Sequence, residues 1–541
     1  MVPGIPRILE PVAESADFAP GGVARGEPSL DSLAMAIVVS HIDRDFDVLG
    51  ARALRQAPLA DLIELRLDRI GHPGEEALRR FVKASPKPVI VTIHGSEAFG
   101  TFEGSVDERC EILHAAARAG ARFVDIDWTL SLELGLMEGK CHRIVSRHDA
   151  EGTPEDLARF DEEVREVLHE GDAVKLVAHA SSAEDGLRML RHLRTARGGL
   201  IAFSSGPRGS FTRVLAPIFG SPFTYAAPAD LGGEGAAEPT APGQLRVNDL
   251  RATFPPVGAT SETAVFAVLG SPISHSLSPR VQGMALKSAH LDAVFVPIEP
   301  SDFAAFLALA DDPCFRGFSV TAPFKTEAWR LARHADEFSA AVEASNTLVR
   351  EDSSWHGYNT DCLAIGEVLE RAFKVHGELP GRPVALAAAR VLVLGTGGAA
   401  RAALGTLARA HARATVVGRR LDAAEGLARH FGCASIPWDE IASEPYDVLI
   451  HCTPHGSGGE TEPVIPEDWI RPGTLVLEAV YRPLRTPLVS AAERRGCTVI
   501  PGAEWFVRQA REQFHLFTQK TPDEELMRLT FENALGLRRK P

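Results

Sequence analysis

Much of what marks an exported, membrane-spanning or nucleic-acid-binding chain is missing from this sequence. Its seven cysteines (Cys110, Cys141, Cys314, Cys362, Cys433, Cys452 and Cys497) are scattered, odd in number and form no Cys-x-x-Cys pair. That excludes a disulfide framework and a thiolate zinc site, and it fits reduced thiols in a cytoplasmic compartment. No apolar run approaches the length needed to cross a bilayer, which argues against a membrane partner. Residues 1–34 have no apolar core of a signal peptide, and Glu10, Glu14 and Asp17 speak against a transit peptide. They read as a disordered tail. Basic runs are absent as well. With a net charge of -15, the chain is not expected to bind nucleic acid, and anionic ligands need local arginine and lysine clusters. Nothing calls for a metal. The composition is otherwise ordinary for a globular chain, and 541 residues are too many for one core.

What is present is a run of four apolar residues that enters glycines and then alanines, Val391-Leu-Val-Leu-Gly-Thr-Gly-Gly-Ala-Ala-Arg401. It predicts a strand, a tight turn and a helix start. Gly395 permits the turn, Gly397 lets backbone approach a pyrophosphate, and Gly398 allows close packing as the helix opens through Ala399. The free N–H groups and positive end of that helix suit phosphate charge. An NAD site would end the next strand with an acid for the ribose 2′-hydroxyl. Here that strand ends in Gly418-Arg419-Arg420. Two arginines can clamp a 2′-phosphate, so the cofactor is read as NADP(H).

The first half has a different rhythm. Short β-rich runs recur at Ala36–Ser40, Leu62–Leu67, Val89–His94, Phe123–Trp128, Arg143–Arg147, Val174–Ala178, Leu200–Ser204 and Phe223–Tyr225. Amphipathic stretches lie between most of them. This alternation predicts a (β/α)8 barrel over residues 35–250, with chemistry at the strand C-terminal ends. Polar residues interrupt the strands. Glu64-Leu-Arg66-Leu-Asp68 puts three charges on one face. Inside a barrel only a functional site explains them, because buried charge is costly unless paired; a solvated edge strand is the competing reading. Ser146-Arg147-His148 ends another strand, and Lys175 stands alone in an apolar run. A buried lysine tends to have a lowered pKa, which suits Schiff-base chemistry with a ketone.

These pieces, with Thr212-Arg213-Val214, Phe219-Gly-Ser221 and Thr240-Ala-Pro-Gly-Gln244, resemble type I 3-dehydroquinate dehydratase. The resemblance implies that Lys175 forms an imine with the substrate ketone. It makes His148 the general base and later the acid, and Arg213 the carboxylate ligand. Glu64, Arg66, Thr240 and Gln244 would hold hydroxyls or close a lid, and Gly232–Thr240 has the composition of a mobile lid. One segment departs. The family's Thr-x-Arg reads Thr92-Ile-His94, and Ala98 stands where the family has the glutamate that orients the catalytic histidine. Glu97 or Glu103 substitutes only if the loop is rearranged. An unoriented histidine usually slows proton transfer without abolishing it.

Arg251–Thr263 reads as a linker rich in Pro, Thr and Gly. Beyond it, Ser276-x-Ser278-Pro279 offers two hydroxyls for a polyol or carboxylate, or else a capped helix start. Thr321-Ala-Pro-Phe-Lys325, Ser345-Asn346-Thr and Asn359-Thr-Asp361 add a lysine, an amide and an acid. Taken as an isolated pair, Lys325 and Asp361 would usually be a surface salt bridge. Across about residues 262–541 these motifs resemble shikimate dehydrogenase. The resemblance implies a Lys325/Asp361 dyad that moves a proton to the reduced carbonyl oxygen. Ser276, Ser278, Thr321, Asn346, Tyr481 and Gln509 would bind the substrate. It also divides this half into a substrate lobe at 262–380, joined by helices at 504–541, and a Rossmann-like NADP lobe at 385–503. The family's Asn-Val-Thr reads Ser319-Val-Thr321, its Asn-Arg-Thr clamp reads Gly418-Arg419-Arg420, and Gln282-Gly283 replaces a His-Asn pair.

Together the halves imply a bifunctional enzyme of the shikimate pathway, acting on small molecules, since one half makes the other's substrate. The alternative is an NADPH-dependent shikimate dehydrogenase fused to a weakened or silent barrel. A quinate-oxidising dehydrogenase is the second rival, opposed by the Ser276-x-Ser278 pair and the arginine clamp.

Overall fold

A computed structural model describes residues 35–96, 100–230, 238–255, 258–376 and 385–537. The expected tail at 1–34, Glu97 and Ala98, and residues 232–237 of the expected lid lie outside the described residues. Two compact units emerge. One runs to Ala264 and takes in Asp292–Cys314, and the other holds Val265–Leu291 and the chain from Phe315 onward. Among the described residues no helix is long and apolar enough to cross a membrane.

In the first unit eight strands alternate with helices: β1 (Ala36–Ile42), β2 (Leu62–Arg66), β3 (Val89–Thr92), β4 (Phe123–Asp127), β5 (His142–Asp149), β6 (Ala173–His179), β7 (Leu200–Ser205) and β8 (Phe223–Ala226). All eight fall where the apolar runs predict them. They form one parallel sheet in the order β7-β6-β5-β4-β3-β2-β1-β8. Between β7 and β8 the ring closes through side chains, with the rings of Phe203 and Tyr225 5.5 Å apart. Their buried apolar residues make the strands read as near-continuous hydrophobic runs, as expected when both faces are covered. The exceptions lie in register: Ser40 stands opposite Glu64, Arg66 opposite Thr92, and Thr92 opposite Asp125. The charged face of β2 is therefore inside the barrel, with Glu64 3% and Arg66 7% exposed, and the solvated-edge reading fails.

Next in the chain come β9 (Ala264–Leu269) and β10 (Ala293–Ile298), the latter within the Asp292–Cys314 segment. The second unit holds two sheets. In the first, β9 pairs in parallel with β11 (Phe315–Val320), and β12 (His334–Ala335), β13 (Thr347–Glu351) and β14 (Ser354–Tyr358) extend it. The second is wholly parallel, built from β15 (Arg390–Leu394), β16 (Arg413–Val417), β17 (Ala434–Ser435), β18 (Val448–His451), β19 (Leu475–Glu478) and β20 (Thr498–Ile500). Its order is β17-β16-β15-β18-β19-β20, which reverses between β15 and β18. A doubly wound sheet binds its ligand at such a reversal. Alternate residues of one strand serve opposite faces. Val391 and Val393 pack with Ala400 and Leu427 on one side, and Leu392 and Leu394 pack with Leu488 and Ala491 on the other.

Candidate active sites

The barrel interior gathers the residues that the first half singled out. Lys175 on β6 donates from Nζ to Asp125 Oδ2 on β4 at 2.6 Å, and their side chains are 7% and 0% exposed. The pair is dry, so each charge depends on the other. The Lys175 ammonium also sits 4.6 Å above the Tyr225 ring. Ser40 donates to Glu64 at 2.5 Å, Thr240 donates to Ser40 at 2.9 Å, and Arg66 donates to the Thr240 carbonyl at 3.1 Å. Gln244 Oε1 accepts from the Thr240 backbone at 2.9 Å. Thr240, the last residue of the expected lid, is thereby tied to β1 and β2. Arg66 spends its other nitrogens on Asp68, whose second oxygen accepts from the His94 amide at 3.1 Å. Arg213 lies over the Phe203 ring at 4.3 Å.

Several polar atoms face this interior without a partner among the described residues: Glu64 Oε2, Arg213 Nε and the Tyr225 hydroxyl. Buried polar groups are normally satisfied, so atoms left open in a charged cavity point to a ligand. Burial pushes the Glu64 carboxyl above its ordinary range, and burial pulls the Arg213 guanidinium down to about 10. The imidazole of His148 is held well below its usual value, chiefly by burial and then by the Lys175 charge. His148 is therefore held in its neutral form. Its ring meets that of His94 edge-on, with centroids 5.3 Å apart. Glu103, one of the two acids proposed to orient His148, is exposed.

Asp125 was not among the residues singled out from the sequence. Phe123-Val-Asp125-Ile-Asp127 alternates acid and apolar residues just as β2 does, and the same argument would have found it. Tyr225 carries no comparable signal.

In the second unit Lys325 begins a helix (Lys325–Leu331) after the Ala322-Pro323 turn, and its Nζ donates to Asp361 Oδ2 at 2.6 Å. Asp361 opens the helix Thr360–His376, and its other oxygen accepts from Trp505 Nε1 at 2.9 Å. Trp505, from the helix Gly502–Thr518, gave no sequence signal because its partner is 144 residues away. Beside the dyad, Asn346 is buried; it donates to Thr360 Oγ1 at 2.9 Å and accepts from the Thr360 amide at 2.9 Å. Val320 N donates to the Asn346 carbonyl and Ser345 N to the Lys325 carbonyl, so both loops hold one geometry. Thr321 packs so closely on Gly270 that a Cβ there would lie 2.4 Å from its methyl. Ser276 and Ser278 sit at the start of the helix Ser278–Ser288, whose N-terminal cap is Leu277, with no side-chain capping bond. Ser276 Oγ accepts from the Ser278 amide at 3.3 Å, so its hydroxyl is engaged at the helix start and the capped-start reading stands beside the ligand one. The Tyr481 ring packs at a tilt against Phe506 at 4.9 Å and edge-on against Phe531 at 5.7 Å. Gln509 Nε2 donates within its own helix, to the Phe506 carbonyl. Ser319, where the sequence departs from the family, donates to Gln513 at 2.7 Å.

The glycine turn behaves as its composition requires. Gly395 has φ +127°, which side-chain-bearing residues rarely adopt. A Cβ at Gly398 would lie 2.8 Å from Lys325 Cδ, whereas one at Gly397 would meet nothing within 4 Å. The open side of the turn thus faces space for a ligand, and its packed side touches the dyad. Arg419 and Arg420 are exposed, and Arg420 caps the helix Leu421–Phe431. These residues fit a dinucleotide with a 2′-phosphate: room at Gly397, helix N-terminal amides, and two exposed guanidinium groups. Next to the turn, His451 Nδ1 lies 2.8 Å from Glu478 Oε1 and Nε2 lies 2.6 Å from Thr453 Oγ1. Thr486 and the Val480 amide donate to the same glutamate, which joins the 452–456 and 479–487 loops.

Known proteins resemble both units. The family model for type I 3-dehydroquinase matches residues 47–259, and that for the shikimate dehydrogenase substrate binding domain matches residues 268–348. The chain is 32% identical over 486 residues to the chloroplastic bifunctional 3-dehydroquinate dehydratase/shikimate dehydrogenase of Arabidopsis thaliana, covering 86% of this chain and 79% of that protein. It is 37% identical over 257 residues to the NADP(+) shikimate dehydrogenase of Syntrophobacter fumaroxidans, covering 47% of this chain and 86% of that protein. Among solved structures, Thermus thermophilus shikimate 5-dehydrogenase in complex with NADP(H) and shikimate matches with a TM-score of 0.45 at 28% identity. It covers 50% of this chain and 100% of that one.

Proposed function

The chain belongs to the family of bifunctional 3-dehydroquinate dehydratases/shikimate dehydrogenases, and we propose that it runs both reactions, one in each unit, with the residues described above. The observation that carries the residue assignments is that each unit holds its own lysine–carboxylate pair, 2.6 Å apart, within a pocket of polar groups.

In the barrel, Lys175 attacks the ketone of 3-dehydroquinate and forms an imine with loss of water. The ammonium must first give up a proton, and Asp125 is the group placed to take it. The imine withdraws electrons from the neighbouring carbon, so its proton becomes acidic. His148, neutral by burial, removes that proton and returns it to the departing hydroxyl, which leaves as water. Hydrolysis of the imine frees Lys175 and releases 3-dehydroshikimate. Arg213 holds the substrate carboxylate, while Glu64, Arg66, Thr240 and Gln244 bind its hydroxyls and anchor the segment that closes over it.

In the second unit the carbonyl of 3-dehydroshikimate is reduced to a hydroxyl. The cofactor is NADP(H), and when bound it supplies the hydride. Gly395, Gly397, Gly398 and Ala399 cradle the pyrophosphate, and Arg419 and Arg420 take the 2′-phosphate. Lys325 gives a proton to the carbonyl oxygen, and Asp361, fixed by Trp505, holds the lysine in position. Ser276, Ser278, Thr321, Asn346, Tyr481 and Gln509 bind the substrate. The small-molecule partners are 3-dehydroquinate, 3-dehydroshikimate and shikimate. The cysteines are free, which supports a reducing, cytoplasmic setting for this chain.

Borohydride added during dehydration tests the barrel assignment. The expected result is a reduced substrate adduct on the peptide that carries Lys175, seen by mass spectrometry. Dehydration that proceeds with no adduct there would remove the lysine from the mechanism.

A further inference from the structure

His94 stands between the two catalytic groups of the barrel, and the following rests on the dehydratase reading of that site. Its Nε2 lies 2.8 Å from Thr92 Oγ1. Thr92 has a single hydroxyl proton and spends it on the Asp125 carbonyl at 3.0 Å. Thr92 must therefore accept from His94, so Nε2 carries the hydrogen. Nε2 itself lies 3.5 Å from Asp125 Oδ1, the carboxylate oxygen that Lys175 does not use, without a hydrogen bond between them. The ring also meets that of His148 at a centroid separation of 5.3 Å and an angle of 71°. The backbone is pinned too, since the His94 amide donates to Asp68. His94 itself is 3% exposed.

We infer that His94 is a positioning residue for dehydration: through Nε2–H it holds Thr92, whose hydroxyl is fixed on the Asp125 carbonyl, and through its ring it buttresses His148. It thereby ties the imine-forming lysine to the histidine that moves the proton. The charged groups that face the two rings are Lys175, Arg66 and Arg109, against the Asp125 carboxylate. A neutral His94 suits this place. A carboxylate beside His148 would stabilise its protonated form, whereas a neutral ring supports it while leaving it free to accept a proton.

Two substitutions in the full chain separate the two contacts. His94→Asn keeps an N–H donor for Thr92 but removes the ring. His94→Phe keeps a ring but removes the donor. For each, dehydration is followed as kcat and KM across pH, and imine formation as the rate of borohydride trapping on Lys175. His94→Asn is expected to lower kcat at least about tenfold and to shift the acidic limb of the profile, with trapping retained. His94→Phe is expected to slow trapping by a similar factor, about tenfold. Wild-type kcat, pH profile and trapping in either variant would overturn the inference. A wild-type chain that neither dehydrates nor traps an imine would overturn the dehydratase reading and this inference with it.

Discussion

The two lysine–carboxylate pairs share one separation and differ in almost everything around it. Lys175 and Asp125 lie inside a parallel barrel, against the Tyr225 face and beside two neutral histidines. Lys325 and Asp361 are more open, with side chains 15% and 7% exposed, fixed from behind by Trp505 and pressed against the turn at Gly398. A dry pair can exchange its proton only with the groups packed around it, and that suits a lysine that must become a neutral nucleophile. A pair beside a cofactor turn need only deliver a proton to an oxygen that gains charge during reduction. On the proposed assignments, the same two side chains do different chemistry because their neighbours differ.

The largest effects break one pair and spare the other. Lys325→Ala is expected to lower reduction by at least about a thousandfold while NADPH still binds, as read by fluorescence titration, and to leave dehydration intact. Lys175→Ala is expected to do the reverse, with reduction unchanged. Loss of both activities from either substitution would show that the two sites are not independent.

Next in size is the clamp. Arg419→Ala with Arg420→Ala removes two charged contacts to the 2′-phosphate, each worth roughly 1.5–3 kcal/mol. The KM for NADPH should rise by more than about tenfold, with the KM for NADH little changed, measured with the same substrate. Equal effects on both cofactors would contradict the clamp.

A smaller effect is expected behind the second dyad. Trp505→Phe keeps the ring and deletes one hydrogen bond to the Asp361 carboxylate. A fall of about tenfold in kcat for reduction, with KM nearly constant, would match the loss of a charge-assisted bond. A change in KM alone would move Trp505 from the dyad to substrate binding.

The finest contrast is acid stability, which reports how dry the barrel unit is. His41 on β1 is fully buried, with neither ring nitrogen partnered among the described residues, and burial pulls it from 6.5 down to about 3. Unfolded, it would take up a proton near pH 6.5, so between 6.5 and about 3 the unfolded chain binds more protons. Stability is then undiminished above pH 6.5 and falls as pH drops through that window, by at most about 1.4 kcal/mol per pH unit for one group. Thermal melts from pH 7 to 4 should show His41→Phe with a shallower loss than the wild type; an identical slope would contradict the assignment.

Much of this could be read along the chain because strand and turn patterns are local. The eight barrel strands, the β15 turn and the charged face of β2 each declare themselves within a few residues. Asp125 shows the limit of reading selectively, since its strand carries the same alternation as β2. Trp505 shows a different limit: its role depends on a helix returning from far down the chain to Asp361. His94 was visible only as a departure. Its hydrogen bond to Thr92, its approach to Asp125 and its contact with His148 depend on the register of β3 and β4 and on the path of β5.

The most direct test of the account is NADPH consumption by the purified chain, given 3-dehydroquinate in one cuvette and 3-dehydroshikimate in another. The account predicts consumption in both, because the barrel makes the substrate that the second unit reduces. Consumption with 3-dehydroshikimate alone would contradict it.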